Sequence, residues 1–189
     1  MMSPRISARE RLLQEAAQRF YANGIAATGI DGIIQGAGVA KMSLYNNFGS
    51  KAELVAAYLE RRHQQWLELY RERLGRQRGA QAGVLAVVDA YLDHAHMAYA
   101  HGFRGCGLLN AAAELPVGHP GRAAVARHKA EVEHLLRGHL GTQDPGRAAA
   151  LAEQISYLLE GAMARAGLEG SDQRLVAARR IIAGWAESR

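Results

Sequence analysis

Between residues 28 and 54 the chain is punctuated so closely that no long element fits. Thr28 stands where an N-cap belongs, with Asp31 three residues on. Gly38 ends a run whose apolar side is Ile30, Ile33, Ile34 and Ala37. A further run begins near Ala40 and ends at Phe48-Gly49. Ser50-Lys51-Ala52-Glu53 then reads as a capping box, in which a hydroxyl and a carboxylate satisfy the free N–H groups of a new helix. This spacing predicts two short helices joined by a glycine-containing turn, a helix-turn-helix, followed at once by a longer helix.

The rest of the chain is helical in pattern. Ser7 to Glu10 forms another capping box, followed by Leu12, Leu13, Ala16, Ala17 and Phe20 at helical spacing and stopped by Asn23-Gly24. The helix after Ser50 runs through Val55, Tyr58, Leu59, Trp66, Leu69 and Tyr70 to about Gly75. Further helices are predicted over 80–101, 105–115, 121–140, 145–167 and 172–187. No stretch alternates in the manner of a strand, and Ala and Leu dominate the apolar residues, which favours helix. The expected fold class is all-α. The expected division is residues 1–50 as a helix-turn-helix domain and 51–189 as a second helical domain, with the boundary inside the fourth helix.

Charge and chemistry narrow the function. A net charge of +5 suits a polyanionic partner. The single cysteine excludes an internal disulfide framework and fits a reducing compartment. The opening MMSPRISARERLL has no apolar signal core, and no run is long enough to span a membrane, so a cytoplasmic location is expected. The second short helix, within VAKMSLYNNFGSKAEL (39–54), has two distinct sides. Val39, Leu44 and Phe48 are anchors, while Lys41, Ser43, Asn46 and Asn47 offer a charge and short polar groups to base edges in a major groove. Tyr45 can pack its ring and reach a phosphate with its hydroxyl. Lys51 and the N–H groups after Ser50 suit an anion. A solvated surface helix is the competing reading of the same pattern.

Residues 12–54 resemble the DNA-binding domain of the TetR family of bacterial transcriptional regulators. The resemblance lies in LLQEAAQRFYANG, in TGIDGIIQGAG (28–38) and in VAKMSLYNNFGSKAEL. It differs at Ile34, at Gly29 and Gly32, and at Met42, which replaces a common glycine and would present an apolar group to a thymine methyl. The resemblance implies about nine helices, the first three for DNA and the remainder for ligand binding and dimerisation. It implies a homodimer, paired through the last two helices, on a palindromic double-stranded DNA operator, with repression relieved by a small molecule. It also places Thr28, Tyr45 and Lys51 at backbone-gripping positions.

Beyond residue 54 the sequence says less. Trp66, Tyr70, Tyr91, His94, Phe103, Cys106, Asn110, Glu114, Tyr157 and Glu160, with Leu109 and Met163, are candidates for an effector pocket, each also readable as core or surface. Cys106 reads first as a small buried residue, and alternatively as a redox or electrophile sensor. His94, His96 and His101 lack the spacing of a metal site, and no cofactor is expected. No acid–base or nucleophile constellation stands out, so an enzyme on a small hydrophobic substrate is the weaker alternative.

Overall fold

The computed structural model describes residues 6–187 apart from 80, 98, 100, 101, 142 and 143. His101 therefore lies outside the described residues. Among the described residues there are nine helices and no strand: α1 (Ala8–Asn23), α2 (Ile30–Ala37), α3 (Lys41–Asn47), α4 (Lys51–Arg76), α5 (Ala82–Ala95), α6 (Gly107–Glu114), α7 (Pro120–Leu140), α8 (Pro145–Glu169) and α9 (Gln173–Glu187). None of them is long and apolar enough to cross a membrane.

Packing groups these helices into two compact units, Met1–Arg62 with Gly107–Ala124, and His63–Cys106 with Val125–Arg189. In the first, Leu12, Ala16 and Phe20 of α1, Ile33 of α2, Leu44 of α3 and Leu54 and Tyr58 of α4 are buried. The ring of Phe20 meets that of Tyr58 edge-on, with centroids 5.5 Å apart. Helix α6 belongs to this unit although it is remote in sequence. Its Glu114 carboxylate accepts the backbone N–H groups of Ile25 (3.0 Å) and Ala26 (2.7 Å) in the α1–α2 turn. The start of α6 comes so close that a Cβ on Gly107 would lie 3.0 Å from the Tyr58 hydroxyl and 3.1 Å from the Tyr21 ring.

The second unit has a core of Val84, Val87, Val88, Leu136, Ile155, Leu159, Leu175 and Ile182, drawn from α5, α7, α8 and α9. Asp89 ties α5 to α9 through Arg179 (2.5 Å) and accepts a bond from Gln77 (2.6 Å). Both partners compensate a nearly buried carboxylate.

Several helix ends depart from expectation. Thr28 does not cap α2. Gly29 occupies the N-cap position without a side-chain bond. Thr28 is buried, and its hydroxyl donates to the Gly24 carbonyl (2.6 Å), closing the α1–α2 turn instead. Ser7 caps α1 through the Glu10 N–H (3.1 Å), but the Glu10 carboxylate turns to Arg61 (2.6 Å). Helix α5 ends at Ala95 rather than near 101. There the Tyr99 hydroxyl donates to the His94 carbonyl (2.9 Å), one of the acceptors a helix end leaves free. Gly102 and Gly105 follow with positive φ, which helix continuation cannot accommodate.

Candidate nucleic-acid interface

Helix α3 is held from behind. Leu44 is fully buried and Phe48 nearly so, with the Arg9 guanidinium 5.0 Å from the Phe48 ring centroid. Val39 is half-buried. Arg11 donates to the carbonyls of Ala37 (3.3 Å) and Gly38 (3.1 Å), fixing the turn between α2 and α3. Gly38 takes the left-handed conformation there, φ 60°, ψ 43°. The opposite side of α3 is open. Lys41, Met42, Tyr45 and Asn46 are exposed, Met42 to 66%. Ser43 and Asn47 are half-buried, and the Asn47 amide donates to the Ser43 carbonyl (2.7 Å).

The charges around this face are loosely held. Lys41 lies 3.3 Å from Asp31, with both side chains largely in solvent. Such a pair is worth at most about 1 kcal/mol, so Lys41 can leave it for a stronger acceptor. At the start of α4, Ser50 Oγ accepts the Glu53 N–H (3.1 Å), and Glu53 in turn accepts the Gly49 N–H (2.8 Å). That capping box takes up part of the hydrogen-bonding capacity of the helix start. Lys51 is half-buried beside it.

A second cluster of polar groups is buried in the other unit. Glu160 Oε1 accepts from Lys129 Nζ (2.7 Å) and from the Tyr91 hydroxyl (2.9 Å). Lys129 Nζ also lies 3.6 Å from Cys106 Sγ. Burial raises the Tyr91 phenol far above its ordinary value, so it remains an O–H donor. Burial opposes the Lys129 charge, but its surroundings, with the Glu160 carboxylate at 2.7 Å, outweigh burial and keep it protonated. Trp66 stacks on Tyr70, with planes 4° apart and centroids at 5.8 Å, and meets Tyr91 and His128 edge-on. His128 and His63 share a hydrogen bond between their Nδ1 atoms (2.9 Å). Burial, then the charge of Lys129 and the neighbouring His63, push His128 down to about 3, so it is neutral.

The comparisons with known proteins bear on the first of these sites directly. A family model for bacterial regulatory proteins of the tetR family matches residues 12–58, which span most of α1, all of α2 and α3, and the start of α4. A TetR-family transcriptional regulator from Streptomyces coelicolor, known from its crystal structure, is 31% identical over 96% of this chain and 95% of its own, with a TM-score of 0.86. The chain belongs to the TetR family of bacterial transcriptional regulators. A second TetR-type regulator, from Streptomyces avermitilis, is 30% identical over 96% of this chain and 98% of its own, with a TM-score of 0.74. The HTH-type transcriptional activator FasR of Mycolicibacterium smegmatis is 36% identical over 90 residues, which are 48% of this chain and 41% of that protein. The match thus spans less than half of FasR.

Within this TetR-family regulator the candidate effector residues are divided between the two units. Trp66, Tyr70, Tyr91 and His94 are buried in the second unit, where Phe103 and Cys106 pack against the core and Glu160 joins Tyr91. Asn110 and Glu114 lie on α6 in the first unit. Tyr157 points outward, 66% exposed, and donates to Glu153 (2.6 Å). Lys129, His128 and His63 went unremarked as site residues. A signal for the first two was present: Val125, Val132 and Leu136 mark the buried stripe of α7, and positions 128 and 129 fall on the same stripe. Among the described residues no three His, Cys, Asp or Glu side chains converge on a point that could hold a metal ion.

Proposed function

We propose that this protein is a homodimer that reads a palindromic operator with α3 and releases it when a small molecule binds in its C-terminal half. The observation that carries the reading is the two-sided α3, buried through Leu44 and open through Lys41, Met42, Tyr45 and Asn46. Lys41, Met42, Ser43, Asn46 and Asn47 would meet base edges, and Tyr45 and Lys51 phosphates. Thr28 would contribute through the turn that its hydroxyl closes, since the side chain itself is buried. The functional division follows that at residue 50, with DNA binding before it and effector binding and dimerisation after it. The dimer surface would lie on α8 and α9, where Tyr157, Leu168, Val176, Ile181 and Trp185 are exposed. A gel shift at stated salt, with DNA from the intergenic region beside the coding sequence, tests the reading. A single retarded species that competes with specific and not random DNA is the expected result.

The sign of regulation has two versions. Repression is the family reading, and the name of FasR as an activator favours the other. A promoter–reporter strain with and without the gene separates them, since the reporter rises on deletion of a repressor and falls on deletion of an activator.

Cys106 is read as a packing residue: it is half-buried and packs against the core. Cys106→Ser is expected to leave operator affinity within about twofold, since one small polar-for-thiol change at a half-buried site costs little. Mild oxidant is expected to leave both forms on DNA. Release of the parent protein alone would instead assign a thiol sensor at this position.

A further inference from the structure

Trp66 Nε1 and Glu160 Oε2, both buried in the second unit, have no hydrogen-bond partner among the described residues. They are unlike in what they need. The indole N–H of Trp66, a residue 4% exposed, requires an acceptor. Glu160 Oε2 requires a donor, because both donors that reach this carboxylate, Lys129 Nζ and Tyr91 Oη, go to Oε1. The two residues are joined through one ring: Tyr91 meets the Trp66 indole edge-on at 5.8 Å and donates to Glu160. Folded proteins leave few buried polar atoms unpaired, so two in one aromatic cluster call for an explanation.

We propose that this cluster is the recognition site for a neutral, flat, conjugated molecule carrying one O–H or N–H donor, for Glu160 Oε2, and one carbonyl-type acceptor, for Trp66 Nε1. The proposal rests on the effector-responsive reading above and supplies its missing ligand class. Neutrality follows from the local charge balance. The Glu160 carboxylate is already matched by the Lys129 ammonium at 2.7 Å, and the neighbouring imidazole of His128 is uncharged. An added anion or cation would enter an apolar setting without a counter-charge. Flatness follows from the walls. Tyr70 lies parallel to the Trp66 indole, and Tyr91 and His128 present edges to it, an arrangement that accepts further aromatic faces and edges.

Calorimetry on the full-length protein tests this with three probes. 4-Hydroxyacetophenone carries ring, donor and acceptor, acetophenone lacks the donor, and 4-hydroxybenzoate adds a charge. 4-Hydroxyacetophenone is expected to bind at least about tenfold more tightly than either of the others, the effect of satisfying one buried group. Trp66→Phe keeps a ring and removes the N–H; Glu160→Gln keeps the shape and removes the charge. Each is expected to lower 4-hydroxyacetophenone affinity about tenfold. Glu160→Gln is expected to leave acetophenone affinity unchanged. The comparison among probes on the parent protein holds even where a variant fails to fold. Equal affinity for all three probes, or no binding of any of them, would overturn the proposal and leave buried water as the partner of both atoms. A gel shift with the same probe separates the two readings. Selective binding without operator release keeps the site and removes its effector role. Intact operator binding with no probe bound removes the site and leaves the DNA-binding reading standing.

Discussion

Lys41 and Lys51 carry like charges and sit ten residues apart, yet their surroundings assign them different work. Lys41 projects from the first turn of α3 into solvent, restrained only by its exposed pair with Asp31. Breaking that pair costs less than about 1 kcal/mol, while a good base-edge contact discriminates by about 1–3 kcal/mol. Lys41→Ala is therefore expected to lose about 1–3 kcal/mol on the operator and much less on random DNA. Lys51 is half-buried at the first position of α4, where an anion is also favoured by the helix start. Lys51→Ala is expected to weaken binding to all sequences alike and to reduce the salt slope by about one phosphate. Gel shifts over a salt series, with operator and random duplexes side by side, check both. A sequence-selective loss for Lys51→Ala with an unchanged slope would reverse its assignment.

At the scale of helices, close approach and burial decide more than propensity. Gly167 lies inside α8, where alanine would ordinarily gain about 1 kcal/mol. A Cβ there would come within 2.7 Å of the backbone of Arg104 and Gly105, which cannot swing aside as a side chain could. Overpacking of this kind costs about 1–3 kcal/mol or more, so it wins. Gly167→Ala is expected to lower the thermal midpoint, while Gly138→Ala on α7, with nothing within 4 Å, is expected to raise it slightly. The α4–α7 contact in the second unit carries a pH dependence. His128 of α7 faces His63 and Trp66 of α4 and sits next to Lys129, with Glu131 reaching His63 at 3.5 Å. Its folded value, about 3, lies below the ordinary 6.5, so between these limits the unfolded chain binds more protons. Stability is then fully present above pH 6.5 and is lost as pH falls toward 3, by up to a few kcal/mol. Denaturant midpoints measured from pH 7 down to 4 are expected to fall, with a shallower fall in His128→Asn. Equal slopes in both proteins would show that other groups govern the acid response.

For the whole molecule the proposed dimer makes the sharpest demand. Two reading helices must meet half-sites about one turn of DNA apart, roughly 34–36 Å, so a monomer forfeits half of the contacts. The exposed apolar side chains Ile181 and Trp185 of α9 stand four residues apart and so share one helical face. Placing a charge there, as in Trp185→Glu, is expected to convert the protein to a monomer in light scattering and to weaken operator binding by at least about a hundredfold. A variant that stays dimeric at micromolar concentration would move the interface off this face.

The sequence by itself determined the helix-turn-helix. Its signals are local: Gly38 needs a left-handed turn, Ser50 needs the N–H of Glu53, and Leu44 and Phe48 recur on one side of a seven-residue helix. Such interactions span at most four residues and so are written in order along the chain. Where one short-range signal competed with another, the pattern misled. Thr28 stood where a cap for α2 was expected, but its hydroxyl donates to the Gly24 carbonyl and Gly29 takes the N-cap position. The helix expected through 101 stopped at Ala95, with the Tyr99 hydroxyl on the His94 carbonyl just beyond it. Only the tertiary structure decided that Glu114, eighty-nine residues from Ile25, should clamp the α1–α2 turn. It alone placed Lys129 on Glu160 and left one oxygen of that carboxylate unpaired. Pairings of this kind depend on which helix faces which. That is set by the sum of many apolar contacts, each weak and none tied to a fixed sequence spacing.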